Sequence, residues 1–366
     1  MLGRTLSFYF ARHFAKMVAA IFMLAFLLTA LVTYFELFTR ALQGEASAGL
    51  LLALSALLKV PSLVEDALPF AVLYGSIAAF VIANRRLEVV VARAAGVSAW
   101  QFLLPACSVG LIAGIIATGL YNPEAATLRS WSNTLQSQLF TARSQPIEAP
   151  DGNGPTWTRQ QADDGTSSII GSVQSFDGGL GLVGVTAYAF DANGHFKERI
   201  DAPKAHFHDG GWTLQDATVT AVSSNPKRVS SYELASNLSA NEVKRTFLQI
   251  DSVSFWSLRE LSASARHAGI SSDRYDLQYN VLLARPILLL AMVLIAANVS
   301  LRFSRSRDLG RVIITGVAVG FMLYVVMKIA SDLGSGGVVP PLLAAWLPAV
   351  VATLVGITVL LHLEDG

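Results

Sequence analysis

The chain has little charge and almost no cysteine. Of its 366 residues, only 14% are charged and 53% are hydrophobic, and the mean hydropathy is +0.49. Such values are unusual for a soluble enzyme and common for a membrane protein with several spans. The one cysteine, Cys107, lies in an apolar run, which excludes an intrachain disulfide. The net charge of +1 produces no overall field that would favour nucleic acid or an acidic substrate.

Motifs that carry chemistry are also missing. The phosphate-binding pattern GxxxxGK[ST] does not occur, so any ATP that drives this protein must be hydrolysed by another chain. No Ser-His-Asp or Cys-His arrangement stands out, and we therefore expect no catalytic residue and no cofactor in this chain. His206 and His208 would share one face of a strand, but no third ligand is evident, so we expect surface residues and no metal site.

Six apolar runs of about 20 residues are present instead. They cover residues 17–35, 67–84, 100–121, 277–301, 312–331 and 338–361. Each run can cross ~30 Å of hydrocarbon as a helix. The first run could also belong to a signal peptide, but it is longer than the usual core of ~7–15 residues, and the candidate cleavage site at 46–48 is too far downstream. We predict a polytopic α-helical membrane protein with three spans, an insert and three further spans.

Basic residues are unevenly distributed among the connections. Ten Lys and Arg residues lie in the N-terminal segment and in the second and fourth connections, whereas the first and fifth connections carry only Arg40 and Lys59. By the positive-inside rule, both termini and the second connection (84–98) are expected in the cytoplasm. The insert is expected on the opposite side of the membrane.

The insert is predicted to be rich in β-structure. Asp-Gly pairs begin at residues 151, 164, 177 and 209, and Asn193-Gly194 adds a fifth tight-turn signal. Short alternating or β-branched runs such as GLVGVTAYAF and WTLQDATVTAV lie between these turns. This spacing is typical of a sandwich or jelly-roll, and the pattern becomes helical from 254 to 267. The predicted domains are 1–121 (spans one to three), 122–265 (the β-domain) and 266–366 (spans four to six).

The second connection is unusual because it has the pattern of a helix. Its sequence is NRRLEVVVARAAGVS, and Glu88 lies one turn after Arg85 while Val89 and Arg93 are one turn apart. A charged helix between two spans is more than a turn requires, so we expect it to have a role.

Four stretches of the sequence carry a combination of motifs. They are NRRLEVVVARAAGVS after the second run, LGLVGVTAYAFDANGHF in the insert, SLRELSASARHAGISSDRYDLQYNVLLARP before the fourth run, and GVVPPLLAAWLP at the start of the sixth. Together they resemble the lipopolysaccharide-export permeases of the LptF/LptG family from Gram-negative bacteria. The Arg274-Tyr275 pair, ten residues ahead of Arg285-Pro286, is more like the LptG branch. The resemblance covers nearly the whole chain.

This resemblance implies a function without catalysis. A permease of this family is the membrane half of an ABC-type exporter that extracts lipopolysaccharide from the outer leaflet of the inner membrane. The implied partners are an LptF-type permease, a dimeric LptB-type ATPase that binds ATP and Mg, an LptC-type membrane protein and a periplasmic bridge protein. The implied location is the bacterial inner membrane, with both termini cytoplasmic and a jelly-roll β-domain in the periplasm. No nucleic-acid partner is implied.

The resemblance further implies that 84–98 is a coupling helix that docks into a groove of the ATPase. Glu88 would supply the acidic contact, and Arg85, Arg86 and Arg93 are further candidates that also serve as topology signals. From composition alone, Glu88 is equally compatible with a solvated loop charge that pairs with Arg85 or Arg93, which is worth ~0.3–0.5 kcal/mol.

Basic residues on the other side of the membrane are candidates for contacts with lipid A phosphates. They are Arg40, Lys59, Arg129, Arg285 and Lys328. A charge at membrane depth is costly and suggests a function, although snorkelling to ordinary headgroups is the simpler alternative. Acidic residues at the same level could make some of these charges purely structural. The family often has a basic residue near the end of the first span, where this chain has Thr33; Arg40, two turns later, would substitute.

Apolar residues of the first and fifth runs are candidates for lining a cavity for acyl chains. They are Phe26, Leu27, Leu31, Phe35, Phe321 and Tyr324. The alternative is that they face lipid.

Two other functions remain open at this point. A permease of the lipoprotein-release or macrolide-efflux type also has a large periplasmic domain, but there the insert follows the first of four spans. A non-transporting anchor for a β-domain needs neither six spans nor a coupling helix.

Overall fold

The long apolar runs of the sequence form helices in the computed structural model. The structure describes residues 4–40, 49–139, 156–162, 165–176, 179–191, 194–208, 210–221, 226–240, 243, 247, 252–267, 272–302 and 309–365. Within these ranges, the helices are α1 (Arg4–Arg40), α2 (Gly49–Arg85), α3 (Glu88–Ala94), α4 (Ala99–Ile116), α5 (Asn122–Leu139), α6 (Phe255–His267), α7 (Asp273–Arg302), α8 (Leu309–Ser335) and α9 (Pro341–Asp365). A π-helix, Ala117–Tyr121, joins α4 to α5.

Six of the described helical segments are long and apolar enough to cross a membrane, which confirms the predicted spans. Three of them are much longer than predicted. The first, predicted at 17–35, lies in a helix that covers Arg4–Arg40. The second begins at Gly49 and not at 67, so most of the predicted loop 36–66 is in fact helix, and the third continues past Tyr121 into α5. Charged residues such as Lys59 and Arg129 interrupt the apolar pattern, but both are buried within these helices.

Small residues let the spans approach each other closely. A Cβ at Gly75 of α2 would lie 2.6 Å from Val18 Cα of α1, and a Cβ at Gly114 of α4 would collide with the backbone of Pro286 in α7. Such contacts are typical of membrane helices, where van der Waals packing replaces the hydrophobic effect. The large side chains at the centre of this bundle include Leu73, Phe80, Phe102, Leu103, Leu289, Met292 and Val293.

The insert between the third and fourth spans contains one antiparallel sheet. Its strands are β1 (Thr156–Gln161), β2 (Ser167–Phe176), β3 (Gly181–Phe190), β4 (Phe196–His208), β5 (Gly211–Ala221) and β6 (Lys227–Ala235), in that spatial order. Inward-facing residues alternate with partly exposed ones along β3, and buried Trp212 and Leu214 belong to the core of the domain. The prediction of an antiparallel β-domain is confirmed. However, the described strands form a meander, whereas a jelly-roll requires Greek-key crossovers.

Three of the predicted tight turns are described in part. Gly165 has φ +84°, and its N–H donates to the Ala162 carbonyl at 3.1 Å between β1 and β2. Gly194 has φ +82°, and its N–H donates to the Asp191 carbonyl at 2.9 Å between β3 and β4. Gly210 has φ +99° between β4 and β5. These left-handed conformations favour glycine because a Cβ would be strained there. The predicted turns at 151–152 and 177–178 lie outside the described residues.

The chain divides into two compact units. The first comprises Met1–Ala30, Pro61–Ala125 and Ser254–Gly366, and the second comprises Leu31–Val60 and Ala126–Val253. The predicted β-domain 122–265 therefore includes helical residues on both sides of the strands, namely α5 and α6.

Candidate functional site

The connection between α2 and α4, which contains α3, begins with an unusual backbone conformation. Leu87 follows the end of α2 and has φ 61°, a left-handed value that costs a leucine about 1–2 kcal/mol. Its carbonyl accepts the first hydrogen bond of α3, from the Val91 N–H at 2.9 Å. The short helix predicted in this connection is therefore present, and it starts with Glu88. A negative charge in the first turn is favourable for the helix dipole.

Helix α3 is terminated by a glycine. Gly96 has φ +82°, and the Val97 N–H reaches back to the Ala92 carbonyl at 3.1 Å, as in a Schellman motif. Ser98 then caps α4, because its hydroxyl accepts from the Gln101 N–H at 3.3 Å. These local signals give α3 defined ends on both sides.

One face of α3 packs inside the chain and the other is open. Val89 and Ala92 are buried, whereas Leu87, Val90 and Val91 are 59%, 53% and 66% exposed. Exposed valines outside the apolar runs are a sign of a docking surface for another protein. We call Leu87, Val90 and Val91 the apolar face of α3. The sequence analysis missed it, although three consecutive valines in a charged connection were a visible signal.

Glu88 has contacts within its own chain. The Tyr9 hydroxyl donates a hydrogen bond to Glu88 Oε1 at 3.1 Å, and Arg86 Nη1 lies 4.0 Å from the same oxygen. The Glu88 side chain is 22% exposed, and its other oxygen, Oε2, is buried with no hydrogen-bond partner among the described residues. Among the described side chains, the predicted alternative of a pair with Arg85 is replaced by the contact with Arg86. Arg85 lies exposed in the last turn of α2, and the Arg93 side chain lies outside the described part of the structure.

Arg285 is buried, and its surroundings match the structural alternative that the sequence left open for the basic candidates. Its guanidinium forms a buried ion pair with Glu65 of α2. Asn122 adds to this pair, since its amide nitrogen donates to both Glu65 oxygens at 2.9 and 3.2 Å and its carbonyl oxygen accepts from the Phe255 N–H at 2.8 Å. We call Glu65, Asn122 and Arg285 the polar cluster. Its members are too far apart in sequence for any local pattern to reveal it.

The π-helix next to the polar cluster has a simple chemical cause. In an α-helix, the Gly119 carbonyl would accept from residue 123, but that residue is a proline without an N–H. The indole N–H of Trp256, in the first turn of α6, donates to this carbonyl at 3.2 Å. The neighbouring Thr118 hydroxyl donates to the Leu282 carbonyl at 2.8 Å. The wide turn is therefore stabilised by α6 and α7.

Two further basic candidates, Lys59 and Arg129, are buried. Ser132 of α5 donates to the Ser55 carbonyl of α2 at 2.8 Å, one turn away from each of them. The structure therefore places both charges near one helix–helix contact.

The other rim candidates have different surroundings. Lys328 is exposed and lies 3.1 Å from Asp332, one turn later in α8. Arg40 is the last residue of α1, and its side chain lies outside the described part of the structure. Thr33, at the position where the family often has a basic residue, is buried.

The candidates for acyl contacts lie on the two least buried spans of the described chain, α1 and α8. Leu27, Leu31, Phe35, Phe321 and Tyr324 are exposed, and Phe26 is half-buried. The Tyr324 ring packs against Phe70, with 6.1 Å between the ring centroids. Within the described residues, no group of three or more His, Cys, Asp or Glu side chains is arranged to hold a metal ion.

Comparison with known proteins gives one consistent result. The family model described as lipopolysaccharide export system permease LptF/LptG matches residues 8–362. Lipopolysaccharide export system permease protein LptG of Escherichia coli (strain K12) is 25% identical over 360 residues, which cover 95% of each chain. The protein of the same name from Haemophilus influenzae is 23% identical over 311 residues, or 80% of each chain.

Proposed function

The chain belongs to the LptF/LptG family of lipopolysaccharide export permeases, and from this premise we propose that it is the transmembrane subunit of an ABC-type exporter. In this proposal it extracts lipopolysaccharide from the outer leaflet of the inner membrane and passes it to a periplasmic bridge protein. ATP and Mg are bound by a separate LptB-type ATPase dimer. A multi-pass protein of the inner membrane, with six apolar helices, suits this role.

The observation that carries the proposal is the apolar face of α3. Three exposed apolar side chains follow one another closely on a short helix between two spans, beside an acidic residue. A groove that is apolar and basic would be complementary in both shape and charge to this helix. We propose that α3 docks into such a groove of the ATPase, with Arg85, Arg86 and Arg93 at the margin.

The proposed orientation follows from the basic residues. The termini and α3 lie on the side that carries the excess of Lys and Arg, which is the cytoplasmic side by the positive-inside rule. The strands then lie in the periplasm. This arrangement puts α3 where an ATPase can reach it and the sheet where an LptC-type protein and a bridge protein can.

Pairing with an LptF-type permease is proposed through α1 and α8. These are the spans that the rest of the described chain covers least, and their exposed apolar side chains would face a partner helix, lipid or the acyl chains of the substrate. Among the basic candidates, Arg40, Lys59, Arg129 and Lys328 remain proposals for phosphate contacts. Arg285 is left out because its charge is already paired with Glu65.

The β-domain offers an edge for its proposed partners. In the described sheet, β6 is an outer strand and most of its residues are exposed. A strand from a neighbouring protein can pair with such an edge through main-chain hydrogen bonds. Lys227 and Arg228 at its start limit uncontrolled pairing, because charged edges disfavour aggregation.

The test is to co-express the chain with an LptF-type permease, an LptB-type ATPase and an LptC-type protein, and to measure ATP-dependent lipopolysaccharide release from reconstituted vesicles. We expect Val90→Asp and Glu88→Lys to reduce both ATPase association and release, while the six spans still fold. Glu88→Ala should have a smaller effect, because it leaves a basic groove unpaired but adds no repulsion. Glu260→Lys, the same change at an exposed position of α6, serves as the matched control.

Normal ATPase association and release in the Val90→Asp and Glu88→Lys variants would contradict the docking role of α3. If the parent chain does not associate with an ATPase at all, the alternative of a non-transporting membrane anchor is favoured.

A further inference from the structure

The N-terminal end of α1 is joined to the coupling helix by one hydrogen bond. It runs from the Tyr9 hydroxyl to Glu88 Oε1 at 3.1 Å, between residues 79 positions apart. Glu88 is the residue on which docking of α3 is proposed to depend, and within the described part of the chain its second oxygen has no hydrogen-bond partner. The position of this carboxylate is therefore set in part by a side chain of a different span.

The Tyr9 ring is itself held in place. It stacks on His13 with 6.4 Å between centroids and an interplanar angle of 9°, and Phe10 meets it edge-on at 5.6 Å. A stacked ring on the same helix face restricts the direction of the hydroxyl. The hydrogen bond to Glu88 therefore does not depend on a freely rotating side chain.

A buried aromatic cluster fastens this end of α1 to the helices on either side of α3. Phe10 packs edge-on against Phe102 of α4 at 4.5 Å, Phe14 lies 5.8 Å from Phe80 of α2, and Phe80 lies 6.3 Å from Phe102. All four side chains are buried. By contrast, α1 as a membrane span is the least buried of the six described spans.

The backbone next to Glu88 needs support from outside α3. Leu87 has a left-handed conformation that a leucine rarely adopts, and strained residues persist only where their surroundings hold them. Within α3, this backbone is held by the hydrogen bond to the Leu87 carbonyl and by the buried Val89 side chain. The Tyr9 bond adds a third, on the residue that follows Leu87.

We propose that Tyr9 is a positioning residue that holds the Glu88 carboxylate for the ATPase and passes the movement of the docked α3 directly to α1. This inference rests on the proposed docking role of α3. In this arrangement the Tyr9–Glu88 hydrogen bond links the N-terminal end of α1 to α3. The aromatic contacts of Phe10 and Phe14 link the same end of α1 to α4 and α2, the helices on either side of α3. The rest of α1 faces the proposed partner permease and substrate, so the contact links ATPase closure to the surface that handles lipid.

The experiment uses Tyr9→Phe in the full complex, reconstituted in vesicles that contain lipopolysaccharide. The substitution removes the hydroxyl and keeps the ring, so the stacking and the fold are retained. We expect lipopolysaccharide release per ATP hydrolysed to fall about threefold to tenfold, the factor that a single hydrogen bond controls. ATPase association should stay at the parent level. Tyr34→Phe removes a hydroxyl from the same helix, far along the chain from the coupling segment, and should leave this ratio unchanged.

A double-variant comparison separates positioning from a general structural effect. If Tyr9 acts through Glu88, then adding Tyr9→Phe to Glu88→Ala should cause no further loss. Equal proportional losses of release and ATP hydrolysis in Tyr9→Phe, or a further loss in the double variant, would overturn the inference. If Glu88→Lys and Val90→Asp impair docking while Tyr9→Phe behaves like the parent, only this inference fails. If all three behave like the parent, the proposed docking function fails as well.

Discussion

The buried pair of Arg285 and Glu65 allows a direct test of how this bundle is held together. Both side chains are almost completely buried, and Asn122 donates two hydrogen bonds to the same carboxylate. The perturbation is Glu65→Gln, which keeps an acceptor for Asn122 but leaves the Arg285 charge unpaired. Arg285→Met is the complementary change, because it replaces the charge with an apolar side chain of similar length.

The expected magnitudes follow from the burial of the pair. Removing one partner of a buried ion pair costs about 3–5 kcal/mol in free energy of unfolding. Arg285→Met should lie near the lower end, ~3 kcal/mol, because Glu65 keeps the two hydrogen bonds that Asn122 donates. The double variant Glu65→Gln, Arg285→Met removes both charges of this pair, so we expect its free energy of unfolding to fall by only ~1 kcal/mol. The coupling energy would then be several kcal/mol.

The assay is unfolding of the purified chain in mixtures of mild detergent and dodecyl sulfate, followed by far-UV circular dichroism. The chain provides a matched control in Lys328 and Asp332, an exposed pair one turn apart in α8. Breaking it by Lys328→Met should change the free energy of unfolding by no more than ~0.5 kcal/mol. Additive losses in the double variant, or single variants as stable as the control, would refute a stabilising pair. If the Arg285→Met variant is as stable as the parent chain but crosslinks less lipopolysaccharide, Arg285 would again be a candidate for lipid binding.

Two further predictions concern packing and pH. Gly114→Ala should destabilise the bundle, measured in the same unfolding assay, because its Cβ would collide with the backbone of Pro286. By contrast, the added Cβ of Gly119→Ala meets no atom within 4 Å, and this change should not destabilise the bundle because alanine forms helices better than glycine. In the β-domain, burial and the hydrogen bond donated to Glu198 raise the pKa of Tyr232 to about 12. Because the unfolded chain has the lower pKa, near 10, this contribution to stability is complete below pH 10 and is lost as the pH rises from about 10 to 12. A phenolate titration of the full chain in which Tyr232→Phe removes a component with its midpoint near pH 10, and not near pH 12, would contradict the prediction.

The spans could be predicted from the sequence because each depends on a local apolar run. Their true lengths could not, since Lys59 and Arg129 interrupt the hydropathy pattern and only the folded chain shows that they are buried. The polar cluster was hidden for a related reason. Glu65 and Arg285 lie 220 residues apart, and a charge seen in isolation at membrane depth suggests a ligand more readily than a distant partner.

For α3, too, only the features that depend on nearby residues could be predicted from the sequence. Its existence and its ends follow from nearby residues, above all Gly96 and Ser98. Its exposed valines and its bond to Tyr9 depend on which face α2 and α4 cover, and that is a property of the packed bundle. For the β-domain, turn signals predicted antiparallel strands, and the meander order follows because each strand is joined to the next by a short connection.

The π-helix at Ala117–Tyr121 changes the direction in which the side chains after it point within the third span. Each residue of an α-helix advances the direction of its side chain by about 100°, so a single wide turn offsets every position that follows. The offset starts immediately before Asn122, whose amide must point at Glu65. If the same residues formed a regular α-helix, Asn122 would be rotated by about 100° away from its partner, and Pro123 would leave the Gly119 carbonyl without a donor from its own helix. The third span therefore behaves as two helices with independently set faces, although a hydropathy profile shows it as one.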